Sequence, residues 1–315
     1  MLSLGNAKEP GLSDLIQKEK KRSIWGTLSS EKYFKWTLLI PLLIILSVFM
    51  FYPLFYSMYY SSQSWEGSGA SAFLGWDNFR AILHDTVFWT CLGRTFEAMA
   101  VCIAAELVIG MAIAMLWNRE FKGQNIVRGL CLMPLLMAPL VLSLLWNFMS
   151  QYDYGPINLI LDWMGLPKIY FWAPEMALFS ICVMTIWQWF PFSTFVLIAG
   201  LRSLPKDVYE AARVDGSSGW YTFRRITLPM LTPLIMIIVM LRVMWLIRLF
   251  DPLFGTTRGG VNTELLDWKV YRTAFVYFDV GFGSTMGLIS LFLTIIVCAI
   301  LFRELLKALG VGERK

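Results

Sequence analysis

The chain has 315 residues, of which 57% are hydrophobic and only 16% charged, with a mean hydropathy of +0.59. Soluble domains carry about a quarter charged residues, so this composition excludes a water-soluble globular protein and points to one that faces lipid. The net charge of +5 is spread over separate loops rather than one basic stretch, which argues against a nucleic-acid binder.

Residues 1–36 form a polar N-terminal segment. Leu12, Leu15 and Ile16 lie at helical spacing before the basic run Lys18 to Arg22. That pattern suits either a solvated tail or an interfacial helix on an anionic inner leaflet. Tyr33 and Trp36 are amphipathic aromatics of the kind that mark a water–lipid boundary. Six apolar stretches follow, near 37–60, 88–117, 127–149, 175–200, 229–250 and 281–303. Each is long enough for a crossing, which needs about 20 residues. The first is too long and too far along the chain for a cleaved signal peptide. The expected fold class is therefore an all-α membrane protein with six transmembrane helices over 37–303, followed by a tail at 304–315.

Nineteen Lys and Arg fall on one side of these spans and five on the other. Cytoplasmic loops concentrate such residues, so both termini and the 201–229 loop are expected inside. The outer loops are rich in aromatics and turn residues. They carry Phe73-Leu74-Gly75-Trp76-Asp77-Asn78-Phe79, then Gly155-Pro156-Ile157-Asn158 with Gly165-Leu166-Pro167, then Gly259-Gly260-Val261-Asn262-Thr263.

The 201–229 loop reads as a helix and a turn. Pro205 suits a first helical position, and Gly216 suits a left-handed C-terminal stop, which gives about eleven helical residues between them. Glu210, Ala211 and Ala212 sit mid-helix and Asp215 at its end. Ser217 or Ser218 can cap a second short helix carrying Trp220 and Phe223, before Ile226, Leu228 and Pro229 lead into the fifth span. The loop is either an ordinary helical hairpin with Glu210 solvated, or a docking surface. In the second case small alanines allow close approach and a carboxylate meets a partner's arginine.

Glu97, Glu106 and Arg242 are costly in lipid and need partners or water. Counting 1.5 Å per residue from the outer span ends puts Glu97 and Arg242 both about 12–13 Å deep. An ion pair between them is expected, with Arg94 competing for Glu97 and water serving Glu106 nearer the inside. Arg242, Trp245 and Arg248 form a stripe that could line a translocation path, stacking on a sugar or attracting an anion. Trp146, Asn147, Trp187, Gln188 and Trp189 are further path candidates. Aromatic stripes in membrane proteins also serve as packing and interface anchors.

Catalytic patterns are sparse. All five cysteines fall in spans without metal-ligand spacing, and His84 is the only histidine. No metal site is expected, and no HExxH or cysteine–histidine pattern occurs. No lysine precedes Ser or Thr, so the GxxxxGK[ST] phosphate loop is absent. Catalysis and cofactor binding by this chain are not expected; ATP hydrolysis would need another subunit.

Glu210-Ala211-Ala212, Gly216, Ile226 and Leu228-Pro229 resemble the EAA-x3-G-x9-I-x-LP pattern of importer permeases of the ATP-binding-cassette (ABC) family. The outer-loop strings are similar to those of its carbohydrate-uptake branch, in particular the larger, MalF-type membrane subunit of maltose-type importers. The resemblance covers roughly 37–303. It departs at Val261, where proline is usual, at Arg94, where asparagine is common before Thr95, and in lacking that subunit's extra N-terminal spans. The resemblance implies a type I ABC importer permease in a bacterial inner membrane, without nucleic acid. The implied partners are a second, MalG-type permease, two copies of a cytoplasmic ATPase holding ATP and Mg, and an external solute-binding protein. The implied cargo is a sugar, oligosaccharide, polyol or acidic sugar derivative. A proton-coupled secondary transporter using Glu97 and Glu106 is the rival, and an intramembrane enzyme a more distant one.

Overall fold

The structure is a computed structural model that describes residues 31–65, 71–119 and 121–310. The proposed interfacial helix, with Lys18 to Arg22, lies outside these residues. The chain forms two compact units, one up to Tyr59 and one from Tyr60 onward. Helix α1 (Glu31–Ser61) dominates the first. Its apolar residues run round the whole circumference, as in a helix without a water-facing side.

In the second unit a short antiparallel ribbon pairs β1 (Gln63–Ser64) with β2 (Ala72–Phe73). Helix α2 (Asp77–His84) follows, then the long α3 (Thr86–Trp117), whose first amides are capped by Asp85. Next come α4 (Gln124–Leu136), α5 (Pro139–Met149), α6 (Pro156–Trp163) and α7 (Ala177–Ser203). The 201–229 loop holds α8 (Lys206–Val214) and α9 (Gly219–Thr222), and a π turn at Phe223–Thr227 leads into α10 (Leu228–Leu246). After α11 (Asp251–Phe254) and α12 (Leu266–Tyr271), a second π turn at Arg272–Val276 precedes α13 (Val280–Ala308).

Among the described residues, five helical stretches are long and apolar enough to cross a membrane; the third expected span is instead the bent pair α4–α5, which meets at 98°. Proline chemistry explains the break. Ala138 precedes Pro139 and is extended, as pre-proline residues prefer, and Met137 is extended as well. The buried amide of Gln188 donates to the Met137 carbonyl at 3.2 Å, so an acceptor that the break strips of its helical partner is still satisfied.

Helix α7 is the centre of the second unit and runs along α3. A Cβ on Gly110 would lie 2.9 Å from the Ser193 Cβ, so only glycine lets the two backbones approach this closely. Buried hydroxyls on α7 bond within the helix, Thr185 to the Ile181 carbonyl and Thr194 to that of Phe190. One apolar cluster joins Cys102, Ile181, Val243, Leu246 and Trp268; a second, nearer the 201–229 loop, joins Ala114, Leu197, Leu231 and Ile238.

The fifth span differs from its expected bounds of 229–250. It begins at Gly219 and its helix stops at Leu246. Beyond that end come α11 and α12, and the Leu266 amide donates to Thr95 Oγ1 of α3 at 3.0 Å.

The outer-loop strings are fasteners. Asn78 donates to the carbonyls of Ser61 and Gln63. Fully buried Asn158 donates to the Gln151 and Ile169 carbonyls and accepts from the Ile169 amide. Val261 has φ +46°, a value closed to the proline that commonly stands there.

Candidate functional site

The 201–229 loop builds one candidate site. Helix α8 starts at Lys206, with Pro205 extended at its cap rather than inside the first turn, and ends at Val214, two residues shorter than expected. Gly216 has φ +72°. The Ser217 amide donates to the Ala212 carbonyl at 2.9 Å and the Gly216 amide to that of Arg213 at 3.2 Å, the paired bonds of a Schellman stop. Ser218, not Ser217, caps α9 through the Tyr221 amide.

One face of α8, carrying Lys206, Tyr209, Glu210 and Arg213, lines a cleft of about 500 Å³ with Arg202 and Thr227. These residues follow i, i+3, i+4, i+7 spacing, so they share one side of the helix. Asp215 caps the helix C-terminus. Ala212 is buried, while Val208, Ala211 and Val214 form an exposed apolar ridge, Val214 being 87% exposed. Beneath the ridge, Tyr209 Oη and Thr227 Oγ lie 2.9 Å apart and share a hydrogen bond. Thr227 closes the π turn that contains Ile226 and precedes Leu228 and Pro229. The Leu228 amide donates to the Phe223 carbonyl. This wider turn accommodates Pro229, whose ring would clash with the carbonyl four residues earlier in a regular helix.

The second candidate lies where α10 ends. Gln188, Trp189, Arg242, Trp245, Arg248 and Asp251 line a small cleft. The expected Glu97–Arg242 pair does not form. Arg242 instead grips Glu106, Nε to Oε2 at 2.6 Å and Nη2 to Oε1 at 2.7 Å, with both side chains almost fully buried. The depth count failed because it assumed a straight fifth span reaching the outer surface. Since α10 stops at Leu246, Arg242 meets a residue about 30 Å down α3. The Arg242 guanidinium also lies 4.4 Å from the centre of the Trp189 ring, which sits 5.0 Å from that of Trp245. Trp245 is 56% exposed.

Five of the eight path candidates thus converge: Gln188, Trp189, Arg242, Trp245 and Arg248. The other three do not line this cleft. Trp146 packs edge-on against Trp187 at 5.8 Å and lines a separate apolar pocket. Asn147 donates to the Gly255 carbonyl at 3.1 Å, tying α5 to α11. Close to Arg248 and Asp251, burial pushes the Asp267 carboxyl above its ordinary range, with Arg248 pulling it back and Asp251 adding to the rise. Glu97 is exposed. Glu106 has both oxygens held by Arg242.

The profile of the family described as "Binding-protein-dependent transport system inner membrane component" matches residues 106–308. A probable ABC transporter permease protein of Sinorhizobium fredii is 32% identical, over 76% of this chain and 79% of its own length. The trehalose/maltose transport system permease protein of Thermococcus litoralis is 31% identical, over 71% and 76%. Among solved structures, a chain of a bacterial alginate ABC transporter, crystallised with an alginate pentasaccharide-bound periplasmic protein, superimposes with a TM-score of 0.74. It shares 18% identity over 92% of this chain and 97% of its own, and so is alike in fold.

Proposed function

Because the chain belongs to the family of binding-protein-dependent transport system inner membrane components, we propose that it is one of two permease subunits of an ATP-driven sugar importer. Its cargo is a sugar, oligosaccharide or polyol; its Thermococcus relative is named for trehalose and maltose. It sits in a bacterial inner membrane with both termini and α8 on the cytoplasmic side. It works with a second, MalG-type permease, two copies of a cytoplasmic ATPase and an external solute-binding protein. ATP and Mg are held by the ATPase, and this chain binds no cofactor.

The observation that carries the reading is the construction of the inner loop. Glu210 faces a cleft, an apolar ridge of Val208, Ala211 and Val214 stands exposed, and Tyr209 bonds to the root of α10. A partner seated on the ridge has a continuous path to span five, because α9, the π turn and α10 run on as one helical stretch. Movement at α8 is passed through Tyr209 and Thr227 to Arg242 and the upper cleft. Such rocking about a midplane site is a general transport solution.

The test is co-purification. The permease, expressed with its partner permease and ATPase, should retain the ATPase in detergent, and Val214→Asp should release it while both permeases stay paired. An ATPase that stays bound to this variant and to Glu210→Ala would remove α8 from the docking surface.

A further inference from the structure

Glu106 has no place in the coupling described above, yet it is fully buried and spends both oxygens on Arg242. These bonds use Nε and Nη2 of the guanidinium. Nη1 has no hydrogen-bond partner among the described residues, and Arg242 is part of the cleft wall. Trp189 covers the face of the same group. The cleft therefore meets an arginine whose charge is neutralised from behind, whose plane is fixed, and whose remaining donors are free. The other cation, Arg248, stands near two carboxylates, Asp251 and Asp267.

We propose that Glu106 is a specificity-determining residue, which makes Arg242 a neutral hydrogen-bond donor and so fits the cleft to uncharged polyhydroxyl cargo rather than to anions. The proposal rests on reading this cleft as part of the cargo path. A carboxylate set directly behind a guanidinium cancels most of its field at a distance of several ångströms, while its N–H groups still point outward. A hydroxyl needs only those donors. An anion needs the net charge as well, because it loses its own hydration on entering. The tilted Trp189–Trp245 pair beside the donor supplies the apolar surface that a sugar ring's C–H face covers.

The test measures the field in the cleft without requiring cargo or ATPase. The permease pair is purified in detergent at low ionic strength, and tryptophan quenching is followed with iodide, an anion, and with acrylamide, which is neutral. The contribution of the cleft is the difference between each protein and its Trp245→Phe counterpart. Glu106→Gln should raise the iodide quenching of that difference roughly threefold, the enrichment expected for an unscreened unit charge at about 7 Å in water. Acrylamide quenching should stay unchanged, and Glu106→Gln combined with Arg242→Gln should return iodide quenching to the wild-type level. Unchanged iodide quenching in well-folded Glu106→Gln, or an equal rise with both quenchers, would overturn the proposal. Since neither quencher depends on ATPase docking, failure here leaves the importer reading standing.

Discussion

Tyr209 and Thr227, eighteen residues apart, share a 2.9 Å hydrogen bond that fastens α8 to the π turn beneath span five. It is a direct side-chain link between the proposed docking helix and the turn that leads into the helix carrying Arg242. A single neutral hydrogen bond contributes about 1 kcal/mol, so its loss should leave the subunit folded and affect transmission. Tyr209→Phe and Thr227→Val should each give normal membrane yield with several-fold less transport per ATP hydrolysed. The double variant should be no worse than either single one, since both remove the same bond. Additive losses would show that the two residues act separately.

Gly216 offers a cleaner test of backbone than of packing. A Cβ there would meet no atom within 4 Å, yet its φ is +72°. Any cost of substitution thus comes from conformation alone, about 1–2 kcal/mol for an ordinary residue. Gly216→Val should weaken ATPase retention, whereas Gly216→Asn, which tolerates the left-handed region, should keep most of it. Equal loss in both would mean that something other than the Schellman stop matters at this position.

Much of this arrangement was legible from spacing. Gly216 needed only its place after a helical run, and the span count needed only apolar length. What stayed hidden depended on long-range geometry. Nothing in the order of residues says that α10 halts at Leu246, and without that fact the partner of Arg242 is misassigned by nine residues along α3. The bend after Leu136 had a local signal in Pro134 and Pro139, but the apolar run from 127 to 149 masked it. Tyr209, Thr227 and the valine ridge were missed because they carry no motif; counting i+3 and i+4 from Lys206 would have found Tyr209 beside Glu210, and i+4 from Glu210 reaches Val214.

The buried pair predicts a specific rescue. Arg242→Gln leaves Glu106 charged and unpaired, which costs about 3–5 kcal/mol when a buried partner is lost. Yield of assembled permease should fall sharply. Adding Glu106→Gln should restore much of it, while adding Glu97→Gln should not. Rescue by the Glu97 substitution would contradict the observed pairing.

Topology can be read by labelling single cysteines with a membrane-impermeant thiol reagent from outside. Asp77 and Asn262 are exposed and should label, whereas Lys122 and Val214 should not until the membrane is opened. Asn158 is a poor probe because it is fully buried; Trp163, 87% exposed on α6, should label in its place. External labelling of Val214 would put α8 on the wrong side for a cytoplasmic ATPase.

The carboxyl of Asp267, in α12 outside the spans, is raised chiefly by burial and further by Asp251, against the pull of Arg248. A carboxyl that binds its proton more tightly in the folded state than in the unfolded one costs stability wherever the unfolded state has ionised. Such a cost is absent below the unfolded value of about 3.9, grows as pH rises, and is complete above the raised folded value. Asp267→Asn removes the charge without changing the shape. The variant should therefore melt higher than wild type at pH 7.5, and the gap should narrow as pH is lowered toward 4.5. Asp251→Asn should act in the same direction more weakly, because it removes only the lesser cause of the rise. Arg248→Gln should act oppositely, lowering the melting temperature most at pH 7.5, since it removes the one cation that offsets the buried charge. A gap between Asp267→Asn and wild type that stays constant across this range, measured by thermal unfolding of the purified permease pair, would show that the carboxyl titrates at its ordinary value.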